Sequence, residues 1–282
     1  MSNNRLQISP AGPVGIFDSG FGGLTVLKEI RHRLPDLDYL YLGDNARAPY
    51  GTRSFDLVYR FTLEGVNYLF DRGCPLVILA CNTASAKALR TIQQNDLPRS
   101  ADPTRRVLGV IRPTAEFVGQ ASKTGHVGIF ATPGTIASQS YDIEISNLHP
   151  GFITQGKACP MWVPLIENGE ASGPGADYFV NRDVNALIDS DPLIDTVILG
   201  CTHYPILAEK IRRALPDHIT MLSQGAIVAD SLADYLRRHP EMDCRLSRGG
   251  TARFFTTEDP TRFDTLATIF TGHPVTAERA AL

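Results

Sequence analysis

Two cysteines stand at matching positions in two nearly repeated stretches of the chain. LVILACNTASA (Leu76–Ala86) and TVILGCTHYPI (Thr196–Ile206) each run from apolar, β-rich residues through one small residue to a cysteine, Cys81 or Cys201. Hydroxyl, amide or imidazole side chains follow each cysteine, and a helix is predicted to begin there. Free N–H groups at a helix N-terminus lower the pKa of a nearby thiol and favour the reactive thiolate. The pattern therefore predicts two chemically active thiols.

Paired thiols from separate stretches suit proton transfer at carbon better than other uses of cysteine. Metal binding is disfavoured, because no two cysteines lie close in sequence and only His203 stands nearby. A local C-x-x-C redox pair does not occur, and nucleophilic catalysis needs only one thiol. Proton transfer at a stereocentre would use both cysteines. One thiolate removes a proton from one face, and the opposing thiol donates a proton to the other face. The remaining cysteines are interpreted as small buried hydrophobic residues: Cys74, Cys159 and Cys244.

Polar residues elsewhere could complete such a site. FDSGFGGL (Phe17–Leu24) places Asp18 and Ser19 after a predicted strand and before a glycine-rich helix start, whose N–H groups could hold a carboxylate. It lacks the G-x-G-x-x-G pattern of dinucleotide-binding folds. Asp18 could assist one thiol and His203 the other, and Tyr50 with the following glycine forms a turn that could contact substrate.

Composition excludes several classes of function. The 282 residues carry a net charge of −3 at pH 7, which gives no reason to expect nucleic acid or an anionic membrane surface as a partner. The first residues, MSNNRLQISPAGP, have no apolar core like that of a signal peptide, and no apolar run is long enough to span a membrane. Five widely spaced cysteines argue against a disulfide framework. We therefore expect a cytoplasmic globular protein.

Short apolar runs alternate with helical patterns, which is typical of parallel sheets covered by helices on both faces. Strands are predicted at 13–20, 38–44, 75–80, 106–111, 125–132, 152–158, 195–200 and 252–259. Helices are predicted at 24–34, 55–73, 83–94, 134–148, 181–189, 205–215, 225–238 and 260–272.

An internal repeat predicts two similar lobes. VGIF occurs at Val14 and again at Val127, an offset of 127 − 14 = 113, and the cysteines are offset by 201 − 81 = 120. The predicted division is a first α/β lobe of residues 1–112 plus 223–282, with the tail packing back, and a second α/β lobe of residues 113–222. Because ligands bind beyond the carboxyl ends of parallel strands, we expect the active site in the cleft between the lobes.

Five ordered motifs resemble the glutamate racemases, in the cofactor-independent aspartate/glutamate racemase superfamily. The resemblance runs from about Val14 to Phe270, and the motifs that carry it are GIFDSGFGGLTVL, LGDNARAPYGTRS, ILACNTASA, LGCTHYPIL and FFTTEDPTRF. The resemblance implies an isomerase of two pseudo-symmetric α/β lobes that interconverts L- and D-glutamate and supplies D-glutamate for peptidoglycan, and hence for cell wall biogenesis and cell shape. It implies no cofactor and no metal, with glutamate as small-molecule partner and a possible homodimer.

The same resemblance assigns roles to individual residues. Cys81 and Cys201 are implied to be the two acid/base thiols, with Cys81 acting on D-glutamate and Cys201 on L-glutamate. Asp18 and His203 match thiol-assisting residues, and Glu167 in PLIENGE matches a further assisting acid. The implied substrate-contacting residues are Asp18, Ser19, Tyr50, Gly51, Asn82, Thr83, Thr202 and His203.

Two residues depart from the family pattern, and two other functions stay open. Asn45 stands where GDTAR is common, and Arg112 stands where many members have glutamate. The short segment before the first strand disfavours the extended, activator-regulated form of the enzyme. The alternatives are a racemase of aspartate or another acidic amino acid, and a two-lobed ligand-binding protein without catalysis. Binding alone needs no thiols, which disfavours the second.

Overall fold

Two parallel sheets form the framework of the protein, which is described here over residues 11–282 of a computed structural model. The first sheet has the strand order β10-β9-β2-β1-β3-β4 and the second has the order β6-β5-β7-β8. The strands are β1 Val14–Asp18, β2 Tyr39–Gly43, β3 Leu76–Leu79, β4 Arg106–Gly109, β5 His126–Ala131, β6 Ile153–Ala158, β7 Thr196–Gly200, β8 Thr220–Leu222, β9 Ala252–Thr256 and β10 Ala277–Arg279.

The internal repeat corresponds to a repeated topology. The order β2-β1-β3-β4 in the first sheet matches β6-β5-β7-β8 in the second, so the two VGIF strands, β1 and β5, occupy equivalent places. The strands before the two cysteines, β3 and β7, are equivalent as well, and each lies directly beside its VGIF strand. The predicted α/β fold of two pseudo-symmetric lobes is confirmed.

Helices cover both faces of the sheets, because the central strands are apolar on both sides. Every residue of β1, β3 and β7 is buried. The helices are α1 Gly23–Arg33, α2 Phe55–Asp71, α3 Asn82–Lys87, α4 Leu89–Thr91, α5 Ile111–Ala121, α6 Pro133–Ala137, α7 Ser140–Leu148, α8 Trp162–Glu167, α9 Pro174–Ser190, α10 Ala208–Ala214, α11 Gln224–Arg238, α12 Pro240–Asp243 and α13 Pro260–Thr271.

The C-terminal part of the chain contacts both lobes. Strand β9 extends the first sheet beside β2, and β10 lies beside β9 at its edge. Helix α11 packs on α1 of the first lobe and on α5, which leads into the second. The boundaries at residues 112 and 222 stay a prediction. No helix within residues 11–282 is both long enough and apolar enough to cross a membrane.

Several elements differ from the sequence prediction. The helix expected at 83–94 is interrupted at Ala88 and continues through α4 into a π-helical turn at Ile92–Asp96. The helix expected at 134–148 is broken by Gln139, whose φ of 53° is left-handed. The elements that were not predicted are α5, α8, α12, β8 and β10. Of the cysteines expected to be buried, Cys244 is exposed.

Candidate active site

The two predicted thiols lie in buried turns at the carboxyl ends of β3 and β7, and polar residues flank each turn. Cys81 follows β3 and is the N-cap residue of α3, where its sulfur accepts a hydrogen bond from the N–H of Ala84 at 3.4 Å. Cys201 follows β7. Each cysteine is only 6% exposed. Both thiols therefore lie where parallel α/β sheets bind ligands, as the sequence predicted.

Burial dominates the acidity of the first thiol. The hydroxyl of Ser19 lies 3.4 Å from the Cys81 sulfur. Burial, together with the charge of Asp18, raises the pKa of Cys81 to about 12, although the hydrogen bonds with the Ser19 hydroxyl and the Ala84 N–H act in the opposite direction. The expectation of a lowered pKa is therefore wrong for Cys81, because desolvation outweighs the effect of the helix N-terminus.

The second thiol begins a chain of three groups. The Cys201 sulfur lies 4.0 Å from Nδ1 of His203, and Nε2 of the same ring lies 2.9 Å from Oε1 of Glu167. Burial lowers the pKa of His203, but the interactions with Cys201 and Glu167 outweigh it and raise the pKa to about 10. His203 is therefore an imidazolium at neutral pH, held between a thiol and a carboxylate.

Asp18 lies between the two turns rather than beside one thiol only. It is fully buried, its Oδ2 accepts from the N–H of Gly20 at 2.9 Å, and its Oδ1 lies 3.5 Å from the Thr202 hydroxyl. Burial raises the pKa of Asp18, although the charge of His203 and backbone N–H groups lower it. Because Asp18 also influences the pKa of Cys81, it interacts electrostatically with both halves of the site.

Two threonines of the second lobe join the site, although neither is among the residues predicted from the sequence. The Thr83 hydroxyl lies 3.0 Å from that of Thr132 and 3.3 Å from that of Thr135. The internal repeat could have identified Thr132, because the offset of 113 makes it the equivalent of Ser19 in the second lobe (19 + 113 = 132). Each VGIF strand is therefore followed by a hydroxyl residue at an equivalent place.

The loop of Tyr50 and Gly51 reaches the second lobe through its backbone. The Tyr50 hydroxyl donates to the buried carboxylate of Asp44, so it is already engaged inside the first lobe. The Gly51 carbonyl accepts from the N–H of Gly134 at 2.7 Å, and a Cβ at Gly51 would lie 2.8 Å from Cβ of Thr132. A glycine is required here because the loop and the second lobe touch.

A second glycine allows the two turns to approach each other. A Cβ at Gly22 would lie 2.2 Å from the Thr202 hydroxyl oxygen and 2.4 Å from Nδ1 of His203. The start of α1 thus lies against the turn that carries Cys201, and the hydroxyl of Thr25 donates to the Thr202 carbonyl at 2.9 Å. These contacts hold the first lobe against the His203 side of the site.

The two departures from the family pattern have different surroundings. Asn45 accepts from the Thr256 hydroxyl at 3.0 Å, and its buried Nδ2 has no hydrogen-bond acceptor within the described residues. It lines a cavity of about 220 Å³ together with Glu167, so it lies at the margin of the site. Arg112 is exposed and pairs with Glu116 at 2.9 Å. It lines a larger cavity, of about 710 Å³, that contains none of the predicted site residues.

The side chains present fit proton transfer and anion binding. Between residues 11 and 282, no three His, Cys, Asp or Glu side chains are grouped so that they could hold a metal ion. The Ser19 hydroxyl and the Ala84 N–H lie beside the Cys81 sulfur, and the His203 ring lies beside the Cys201 sulfur. Preorganised donors of these kinds stabilise the negative charge that develops when a proton leaves carbon next to a carboxylate. The arrangement can therefore bind an amino acid and move its α-proton.

Known proteins resemble this chain over nearly its whole length. Residues 24–232 match the family model described as Asp/Glu/Hydantoin racemase. A glutamate racemase of Paracoccus denitrificans is 43% identical over 277 residues, which cover 95% of this chain and 99% of that protein.

Two solved structures share the fold and about a third of the sequence. A glutamate racemase isoform from Bacillus anthracis aligns with a TM-score of 0.87 and 32% identity, covering 96% of this chain and 98% of that one. A glutamate racemase from Francisella tularensis, solved in complex with D-glutamate, aligns with a TM-score of 0.81 and 31% identity, covering 95% and 96%.

Proposed function

The chain belongs to the Asp/Glu/Hydantoin racemase family, and from this premise we propose that it is a glutamate racemase that interconverts L- and D-glutamate without a cofactor. The relatives named glutamate racemase match it end to end, and one of them is a complex with D-glutamate. We propose that it acts in the cytoplasm, where it supplies D-glutamate for peptidoglycan. The proposed partners are glutamate and a second copy of the chain in a homodimer.

The paired thiols carry the proposal. Cys81 and Cys201 follow equivalent strands of the two lobes, and both are buried next to groups that polarise them. A binding protein needs neither thiol, whereas inversion at a stereocentre needs one group on each face. Equivalent positions in a pseudo-symmetric fold are a direct way to supply such a pair.

The protonation states suit a two-base mechanism. With a pKa raised to about 12, Cys81 is a protonated thiol at neutral pH and can act as the acid. The imidazolium of His203, whose Nδ1 lies 4.0 Å from the Cys201 sulfur, places a positive charge beside the sulfur that takes the proton. Cys201 thus removes the α-proton of L-glutamate, and Cys81 protonates the opposite face. The reverse reaction begins with the thiolate on Cys81.

Donors around the thiols hold the substrate while charge develops on it. The α-proton of an amino acid is only weakly acidic, so the enolate-like carboxylate needs preorganised donors on both sides. The first lobe offers Ser19, Asn82 and Thr83, and the turn after β7 offers Thr202. The loop of Tyr50 and Gly51 offers backbone groups, since the Tyr50 hydroxyl is engaged by Asp44.

Circular dichroism of amino-acid solutions tests the activity and its substrate together. Purified protein is incubated with L-glutamate, L-aspartate or L-alanine, before and after dialysis against a chelator. We expect decay of the signal to zero with glutamate alone and no effect of dialysis. Decay with aspartate instead would reassign the substrate. No decay with any of the three would favour a binding protein, and activity restored only by a metal or pyridoxal phosphate would refute the cofactor-independent mechanism.

Single Cys→Ser variants test the assignment of the two thiols. Serine is nearly isosteric with cysteine but far less acidic, so each variant should lose glutamate racemisation almost entirely. Analogues with a leaving group on the β-carbon need only one deprotonation, followed by elimination. Cys81→Ser should still process the L-analogue, and Cys201→Ser the D-analogue. Loss of the same enantiomer in both variants, or near wild-type racemisation in either, would contradict the assignment.

A further inference from the structure

We propose that Tyr141 and Gln224 are positioning residues that close a ring of hydrogen bonds with Asn82 and so hold the two thiol-bearing turns at a fixed spacing. Asn82 directly follows Cys81. Tyr141 belongs to α7, between β5 and β6 of the second sheet, and Gln224 begins α11. The inference rests on the proposed function, because it concerns the two thiols assigned to proton transfer.

The ring consists of three short hydrogen bonds. The Tyr141 hydroxyl donates to Oδ1 of Asn82 at 2.7 Å, Nδ2 of Asn82 donates to Oε1 of Gln224 at 2.6 Å, and Nε2 of Gln224 donates to the Tyr141 oxygen at 2.7 Å. The direction of the ring is fixed from outside, because Nε2 of Gln224 also lies 3.3 Å from the carbonyl of Val110, which can only accept. The ring therefore orients the Asn82 amide.

Tyr141 also reaches the other thiol-bearing turn. A Cβ at Gly200, the residue before Cys201, would lie 3.2 Å from Cε2 of Tyr141, so the ring of the tyrosine packs against this part of β7. Burial raises the pKa of Tyr141, and negative charge at Cys201 raises it further, so its hydroxyl remains a donor. One side chain thus contacts the residue after Cys81 and the residue before Cys201.

Burial makes the ring sensitive to the loss of any member. Asn82, Tyr141 and Gln224 are 2%, 2% and 3% exposed. Removing one partner leaves the other two with buried polar atoms that water cannot reach, which costs more than the hydrogen bond itself contributes. The turns would then relax, and the distance between the two sulfurs would no longer be fixed across the substrate.

Tyr141→Phe is the direct test, because it keeps the packing against Gly200 and removes only the hydroxyl. Tyr204→Phe is the matched control. Tyr204 is fully buried and lies three residues after Cys201, but its hydroxyl donates to the backbone carbonyl of Cys159 at 3.2 Å. Gln224→Met opens the ring from α11 and provides a second variant if Tyr141→Phe does not fold.

Three measurements on the purified proteins separate positioning from general destabilisation. In glutamate racemisation, Tyr141→Phe and Gln224→Met should each lower kcat about tenfold to a hundredfold with little change in KM. The double variant should be no slower than the slower single, because the ring is broken once. Alkylation by iodoacetamide, resolved by mass spectrometry, should speed up about fivefold or more at both Cys81 and Cys201 in either variant. Tyr204→Phe should show neither change.

The outcomes distinguish this inference from the proposed function. Wild-type protein that does not racemise glutamate refutes the function, while the alkylation rates still decide whether the ring ties the two turns. A wild-type kcat in both ring variants, faster alkylation of one cysteine only, or equal effects of Tyr204→Phe would overturn the inference.

Discussion

Glu167→Gln removes one charge from the site and leaves the size of the side chain unchanged. In the structure, Oε1 of Glu167 lies 2.9 Å from Nε2 of His203, whose other nitrogen faces Cys201. The amide oxygen of glutamine can still accept this hydrogen bond. The variant therefore isolates the effect of the carboxylate charge on the histidine.

The size of the effect follows from Coulomb's law. Opposite unit charges 2.9 Å apart attract by about 1.4 kcal/mol at the dielectric constant of water and by about 6 kcal/mol at an effective value near 20. The Glu167 side chain is 29% exposed, so the screened value is the safer bound. It corresponds to about one pKa unit. Because Glu167 raises the pKa of His203, we expect this pKa to fall from about 10 to about 9 or lower in the variant.

The assay must use an irreversible one-base reaction. L- and D-glutamate have equal free energy, so kcat/KM for racemisation is the same in both directions for every variant. Elimination from the L- and D-forms of a β-leaving-group analogue avoids this constraint. In Glu167→Gln, the alkaline limb of elimination from the L-analogue should move down by about one pH unit, which slows this reaction about twofold at pH 9 and about fivefold at pH 10. Elimination from the D-analogue, which uses Cys81, should change less than about twofold.

The control is Glu170→Gln, which neutralises an exposed carboxylate three residues further along the chain. It should leave both eliminations unchanged. An unshifted alkaline limb in Glu167→Gln would refute the reasoning, because it would mean that the carboxylate does not hold the proton on His203. Equal slowing for both enantiomers would show that Glu167 does not act through the Cys201 side.

Two further predictions follow from the same geometry. Gly22→Ala should lower racemase activity at least tenfold, because its Cβ would lie 2.2 Å from the Thr202 hydroxyl oxygen. Gly20→Ala is the control and should keep most of the activity, because its Cβ would lie 3.6 Å from the nearest atom. Equal kinetics in the two variants would contradict the close contact at Gly22. Stability should fall as the pH rises from about 6.5 to about 10, since His203 binds its proton more tightly when folded, and Glu167→Gln should flatten this slope in thermal unfolding measured across the window. A midpoint that is independent of pH there would be evidence against the raised pKa.

The sequence predicted the central framework because that framework is encoded locally. Strands β1, β3, β5 and β7 are continuous apolar runs, and their repetition indicates two lobes without any structural information. Elements with weaker local patterns were not predicted, among them the three-residue strands β8 and β10. Gln139 breaks a helix through a left-handed backbone that few non-glycine residues adopt, so its effect could not be read from helical periodicity.

The candidate site likewise contains residues that the local sequence identifies and residues that only the folded structure brings together. His203 could be predicted because it lies two residues from Cys201, and the resemblance supplied Glu167. Gln224 and Tyr141 contact Asn82 across 142 and 59 residues of chain, and no local pattern marks such contacts. The acidity of Cys81 was misjudged for a similar reason. The helix N-terminus is visible in the sequence, whereas the burial that outweighs it is a property of the folded molecule.

Cys81 and Cys201 are each only 6% exposed, and this burial has a kinetic consequence under the proposed mechanism. Each turnover moves one proton onto one sulfur and one proton off the other, so the product leaves an enzyme whose protonation pattern is the mirror image of the starting one. That form accepts only the enantiomer it has just released. Before a second molecule of the original enantiomer can react, the protein must exchange protons at these two buried cysteines. Under the proposed mechanism, the two protons must therefore return to their starting sulfurs between turnovers in one direction, by exchange at two cysteines that are each only 6% exposed.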